Sequence, residues 1–283
     1  MHFVIIGHIT RDVTPEGYTL GGTASYAGIA AQRLGAEVTL LTRAQPEDVQ
    51  HPDLAGIEII NLPSPLTTTF HNVYRQGVRT QYLRAVAAPI RAEETPPHLF
   101  NADIVLLAPL VQEVDPAIAP RVRGLLGATP QGWLREWDAN GRVRPTPWVS
   151  AGRLLPHLDA LIFSDPDIAG DPGIMPTLLE ATPLVALTQS AAGAILYVDG
   201  VYHHAPPRPA QEIDPTGAGD VFAAAFLIHL LQSHHPFRAA YFANVAASMS
   251  VEAPGTHGIP DKARVEAYIA AHPCADPPLP VPP

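Results

Sequence analysis

Short apolar runs that stop at a glycine alternate with alanine-rich stretches along most of the chain. Residues 3–6 (Phe-Val-Ile-Ile) end at Gly7, the pattern of a strand buried on both faces of a parallel sheet. A Pro15-Glu16-Gly17 turn and the pair Gly21-Gly22 follow. Residues 23–34 then have the texture of a helix that stops at Gly35. A second strand is expected over 37–41, and similar runs recur at 104–108, 160–163 and 184–187. This alternation predicts an α/β chain folded as a three-layer α/β/α sandwich, one domain over residues 1–271. Residues 67–86 break the pattern: two β-rich arms mixing polar and aromatic residues flank Gln76-Gly77. They read as a hairpin, either an ordinary sheet edge or a lid over a cleft. Residues 272–283 are proline-rich and read as an extended tail.

The sharpest string is Asp214-Pro215-Thr216-Gly217-Ala218-Gly219-Asp220, with an apolar run of helical composition from 221 to 231 behind it. Such a loop points backbone N–H groups outward at a helix N-terminus, which suits a phosphoryl group. Asp220 beside it is either a base or simply a cap for the helix. No Gly-Lys-Ser/Thr follows, so the string is not a Walker A loop. Phe222 stands where a dinucleotide fingerprint needs its third glycine, and 209–213 is no apolar strand.

Composition narrows the partners. A chain of 283 residues with 47% hydrophobic content can bury a large core, and a net charge of -10 with no basic run argues against nucleic acid. Cys274 is the only cysteine, which excludes disulfides within the chain and points to a reducing compartment. No stretch reads as a signal peptide or a membrane span, so a cytoplasmic protein with no membrane partner is expected. Proline is abundant, at 32, and basic charge is almost all arginine; thermal adaptation and genome composition both produce that bias. Thirteen histidines show no zinc-type spacing, and no Gly-x-Ser-x-Gly elbow is present.

The string from Asp214 through Asp220 into Ala223-Ala224-Ala225-Phe226-Leu227 resembles the second signature of the PfkB (ribokinase-like) family of carbohydrate and nucleoside kinases. Gly21-Gly22-Thr23-Ala24-Ser25-Tyr26, running on to Leu34-Gly35, resembles the first signature, with Tyr26 in place of a substrate-binding Asn. The resemblance implies a ribokinase-like sandwich with a small β lid, its strands within 8–20 and 67–86. It implies Asp220 as general base and the amides of Gly217, Ala218 and Gly219 as the anion hole. Asp12 lies where the family grips two sugar hydroxyls, and Gly21, Gly22 and Tyr26 complete the implied acceptor site. Thr188 to Gly193 is similar to a nucleotide-site Thr-x-Gly-x-x-Gly in which Ser190 replaces the first glycine. Asn244 and Gly255 match the adenine-side helix and loop. Ser164-Asp165-Pro166-Asp167 stands for the family's Asn-x-x-Glu, making Asp167 the metal candidate. Asp214 and Thr216 could hold a monovalent cation.

The implied activity is ATP-dependent, Mg2+-assisted phosphorylation of a hydroxyl on a small polyhydroxy substrate, a sugar or cyclitol, with K+ as an optional cofactor and a homodimer through the lid as one arrangement. The pattern of Thr67, Thr68, Thr69, Phe70, Arg79 and Gln81 with Tyr26 looks most like the inositol-kinase-like branch. A nucleoside kinase, with Phe70, Tyr74 and Tyr82 as a base platform, is the first alternative. A ribokinase-like binding protein that has lost turnover is the second.

Overall fold

The computed structural model describes residues 1–75, 78–198 and 200–274. The expected Gln76-Gly77 turn, the side chain of Tyr74 and the tail beyond 274 lie outside the described residues. A nine-stranded sheet forms the body. Its order is Val201–Ala205, Ala194–Val198, Leu184–Thr188, Ala160–Ser164, Leu125–Ala128, Ile104–Leu107, His2–Ile6, Glu37–Arg43 and Glu58–Leu62. From Leu184–Thr188 onward, neighbouring strands run parallel; the pairs at the other edge are antiparallel. The first strand is central and fully buried beyond His2, as its uninterrupted apolar run requires.

The two faces of this sheet are covered differently. One packs against the helices Thr23–Arg33, Ala218–Ser233 and Pro236–Ser250. In the second of these, every residue from Val221 to Ile228 is buried, because sheet and flanking helices enclose it on all sides. The other face carries mostly 3-10 turns and the short helices Ala151–Leu154 and Met175–Ala181. Proline sits in the first turn of many of these, for example at Pro97, Pro116, Pro130 and Pro172. There its fixed φ is already suitable and its missing N–H is no loss. The proline content therefore shapes one layer of the sandwich.

A second sheet of four strands, in the order Gly17–Gly21, Thr10–Thr14, Thr68–Arg75, Val78–Ala85, stands off the body. The expected hairpin is there, and the pair that closes it to the body comes from the chain leaving the first body strand. At that junction Glu113, only 2% exposed, accepts N–H bonds from His8, Leu110 and Val111. The His8 ring is clasped by Thr68 Oγ1 at 2.8 Å and the Ala88 carbonyl at 3.0 Å. Nε2 faces a carbonyl and must donate, so the Thr68 hydroxyl donates to Nδ1. Burial holds this imidazole below its ordinary pKa, which keeps it neutral in that role.

Candidate active site

A cavity of about 1110 Å³ opens between the small sheet and the C-terminal ends of the parallel strands. Its wall takes Leu110 from beyond Ile104–Leu107, Thr129 to Gln131 from beyond Leu125–Ala128, Asp167 from beyond Ala160–Ser164, and Thr188 at the end of Leu184–Thr188. Ligands of open α/β sheets bind in such a crevice, where strand ends leave backbone groups unpaired.

Two helix N-termini meet in this wall. Gly217 caps Ala218–Ser233 in the left-handed conformation, φ 78°, and Gly22 precedes Thr23–Arg33 with φ 93°. Residues 217–219 and Asp220 all line the cavity. The two glycines of the loop are needed for different reasons. A Cβ on Gly217 would fall 2.0 Å from Cδ1 of Tyr26, whose ring packs against the loop. A Cβ on Gly219 would meet nothing within 4 Å and would project into open space. Gly217→Ala is therefore expected to destabilise the fold by about 1–3 kcal/mol through overpacking and a disfavoured φ. Gly219→Ala should melt like the parent, yet its methyl would crowd any anion held at this helix N-terminus and so lower turnover. Thermal melts beside initial rates on both variants check the split.

Asp220, in the first turn of its helix, has its carboxyl pushed up to about 7. Burial is the main cause; the nearby charge of Asp167 adds to it, while a hydrogen bond with Thr23 and the charge of Arg135 oppose it. A carboxylate poised near neutrality is matched to taking a proton from an alcohol. Asp167 is fixed by the Ser164 N–H at 2.9 Å, the Ser164 hydroxyl at 2.7 Å and Gln131 Nε2 at 3.1 Å. It faces the same cavity, with a lone pair on Oδ1 to spare. No cluster of three metal-ligating side chains occurs among the described residues. Mg2+ needs no such cluster, since one or two carboxylates with water and substrate phosphates suffice. Asp167 fits that requirement.

Asp12, on Thr10–Thr14, lines the same cavity. Its carboxylate lies over Gly21, where a Cβ would come within 2.3 Å of Oδ2; the bare backbone of Gly21 is what gives Asp12 its place. Gly21 itself is not part of the cavity wall, whereas Gly22 is. Tyr26 is in the wall but only 4% exposed, and its hydroxyl is turned toward the backbone of Gly255. Burial first, then the charge of Asp214 and of other carboxylates, raises its pKa. The side chain expected to offer its phenol to the substrate thus serves mainly as a floor beneath 217–219.

On the expected nucleotide side, Thr188, Gly193 and Asn244 line the cavity. Both amide donors of Asn244 are spent on the carbonyls of Ala205 and Pro206, at 2.9 and 3.0 Å, so it shapes the wall by holding the segment after the last strand. Ser190 adopts φ 49° and Gly193 φ 90°. The serine therefore keeps the left-handed backbone a glycine would supply, at a conformational cost. Ser190→Gly is expected to raise stability by roughly 0.5–1 kcal/mol, measurable as a higher melting temperature with the loop unchanged. Gly255 lies behind the cavity wall, its N–H donated to Asp214 Oδ2 at 2.8 Å; Asp214 Oδ1 accepts from the Thr216 N–H at 3.0 Å. The carboxylate proposed for a monovalent cation thus ties the 214–217 loop to 251–256. Thr216 is exposed on the cavity side.

Sequence reasoning did not single out Arg135, Arg142, Arg144 or Arg208, all in the cavity wall. The first three belong to a short antiparallel ribbon, Arg135–Trp137 with Val143–Pro145. Three arginines within residues 135–144 were the available signal.

With this geometry in place, comparison with known proteins is informative. Residues 154–263 match the model of the pfkB family of carbohydrate kinases. An inositol 3-kinase of Zea mays is 28% identical over 265 residues, covering 88% of this chain and 65% of its own length. The chain thus spans about two thirds of that relative. Ribokinase of Bacillus subtilis is 26% identical over 285 residues, with 88% and 87% covered. A pyrophosphate-dependent kinase of the ribokinase family, solved with a pyrophosphate analogue and myo-inositol, superposes with TM-score 0.78 at 24% identity, over 94% of this chain and 99% of that one. Ribokinase from Thermotoga maritima gives TM-score 0.73 at 18% identity, over 95% and 99%. Those two likenesses establish the ribokinase-like fold. Over residues 154–263 the chain resembles the pfkB family of carbohydrate kinases, and along most of its length it is similar to inositol 3-kinases.

Proposed function

We propose that this chain transfers a phosphoryl group to one hydroxyl of a small polyol, a cyclitol or sugar. The observation that carries this is that Asp12 and residues 217–220 line one cavity. The inward face of the small sheet supports a polyol as acceptor. Asn72, Thr80 and Gln81 line the cavity there, with Gln81 Nε2 donating to Asn72 Oδ1 at 3.1 Å. A hydroxyl-rich substrate matches such donors and acceptors. The nucleoside alternative has less support: Tyr82 lies outside the cavity wall, beneath the Arg84 guanidinium, and Phe70, though in the wall, is 3% exposed and packed into a small apolar cluster.

In the reaction, the acceptor oxygen bonds to phosphorus as the bond from phosphorus to the leaving phosphate oxygen breaks. Asp220 accepts the hydroxyl proton, and the N–H groups of 217–219 at the helix N-terminus stabilise the charge on the transferring group. Mg2+, when bound, neutralises donor phosphate charge, and Asp167 is the side chain placed to hold it. Asp12 accepts from two neighbouring hydroxyls. ATP is the donor expected from the family resemblance. A second reading, pyrophosphate, draws on the four arginines of the wall and on the structural neighbour that uses it. Arginine forks suit bare phosphates, and the one lysine, Lys262, is remote from the cavity.

The test is kcat/KM for myo-inositol, fructose, ribose, adenosine and cytidine, each with ATP and with pyrophosphate. A polyol should lead; a nucleoside ahead by tenfold would overturn the acceptor assignment. Asp12→Ala should weaken acceptor binding by on the order of 1.5–3 kcal/mol, as for a lost charged hydrogen bond, with donor affinity unchanged. Calorimetric titration with each ligand separates acceptor binding from donor binding.

A further inference from the structure

The arginine ribbon bridges two bodies. Its stem is fixed to the sandwich: Leu134, just before it, is buried in the core of one face, Thr146 donates to the Leu134 carbonyl at 2.9 Å, and Gln112 donates to the Arg135 carbonyl at 2.6 Å. Its far end is fixed to the small sheet. Leu83 donates to the Gly141 carbonyl at 2.7 Å, and Tyr82 and Arg142 form an antiparallel bridge. Val143 packs with Phe70, Leu83, Leu110 and Val111. Gly141 has φ 78°, and a Cβ there would come within 2.2 Å of the Leu83 carbonyl oxygen, so the contact is made backbone to backbone.

Within the ribbon the arginines have different employment. Arg144 pairs with Asp138 at 2.9 Å, and the same carboxylate accepts the Arg142 backbone N–H at 3.0 Å. Arg208, elsewhere in the wall, is committed to Glu252 at 2.8 Å and lies over Tyr268. Arg142 is exposed in the cavity wall, and its guanidinium has no ion-pair partner among the described residues. A side chain with five donors facing a cavity that also holds an anion hole is suited to an anion.

We propose that Arg142 is a phosphate ligand for the donor, and that the ribbon couples its position to the small sheet over the acceptor. This deepens the kinase reading and rests on it. Because Arg142 and the acceptor-facing Gln81 and Asn72 belong to hydrogen-bonded neighbours, ordering the small sheet around an acceptor also fixes the guanidinium. Acceptor and donor then bind with positive cooperativity, each tightening the other by the same factor.

The test is titration calorimetry of the full chain with pyrophosphate and with the magnesium salt of a non-hydrolysable ATP analogue, each with and without saturating myo-inositol. Wild type should bind at least one donor several-fold more tightly when myo-inositol is present. Arg142→Gln should weaken that donor about 10–100-fold, the worth of one charge-assisted contact, keep myo-inositol affinity in the absence of donor, and lose the cooperativity. Arg142→Lys should recover part of the affinity as a point charge. Gly141→Ala, which forces the ribbon off Leu83, should lower cooperativity while leaving the arginine present. Donor affinity in Arg142→Gln equal to wild type overturns the proposal, as does an equal loss of acceptor affinity without donor. Wild type that binds neither donor would instead overturn the kinase reading itself.

Discussion

Asp220→Asn is expected to lower turnover by roughly 10² to 10⁴, the worth of a positioned base, with donor and acceptor affinities little changed. The amide keeps the size of the carboxylate and can still meet the Thr23 hydroxyl, so the helix start should stay in place. The pH dependence carries a sign that can be worked out. The folded-state carboxyl is raised from an ordinary 3.8 to about 7. Below that pH it holds its proton and cannot accept another, so kcat/KM of the free enzyme should rise with pH through about 7. Stability runs the other way. A group whose folded pKa is raised contributes stability below its unfolded pKa, and that contribution is lost as pH rises through the folded value. The asparagine variant should therefore melt at least as high as wild type at pH 8, by a margin that narrows toward pH 5 and closes only below about 3.8. Rates and melts of both proteins across pH 5–9 check both signs. Near-normal turnover would remove Asp220 from its role, and a silent binding protein would show no pH-dependent rate at all.

Glu113→Ala should give the largest loss of stability. The substitution leaves the buried N–H groups of His8, Leu110 and Val111 facing each other with no acceptor. Each unsatisfied buried donor costs about 1–3 kcal/mol, so a loss of at least ~3 kcal/mol is expected, a drop in melting temperature of roughly 6 °C or more. Glu113→Gln retains one acceptor oxygen and should lose less. Because this knot joins the body to the small sheet, acceptor binding should suffer with stability. Differential scanning calorimetry of both variants measures the first, and a titration with the acceptor the second.

How far the sequence announced this arrangement depends on the type of signal. The 214–220 string was legible because loop, glycine and carboxylate are adjacent in the chain. The strands 3–6 and 37–41 were legible because burial on both faces writes a continuous apolar run. Leu125–Ala128 was missed: its four residues include Gly127, which must be bare because a Cβ would meet Leu227 Cδ1 at 2.6 Å. Glu58–Leu62 is an edge strand, exposed at Glu58 and only partly buried beyond it, and so lacks that apolar signature. Glu113 is one acidic residue in a loop until the fold brings three N–H groups to it. Tyr26 shows the opposite limit: the motif marks its position, while its contact with Gly217 depends on two segments about 190 residues apart. Ser190 looked like a degraded glycine in the sequence, yet its backbone holds the conformation that the motif requires.

The most direct measurement is phosphorus NMR of wild type and Asp220→Asn incubated in parallel with myo-inositol and magnesium, once with ATP and once with pyrophosphate. The account predicts a phosphate monoester signal from wild type with at least one donor, and its loss in the variant at equal protein concentration. A monoester formed equally by both proteins, or none from myo-inositol or any sugar with either donor, would contradict it.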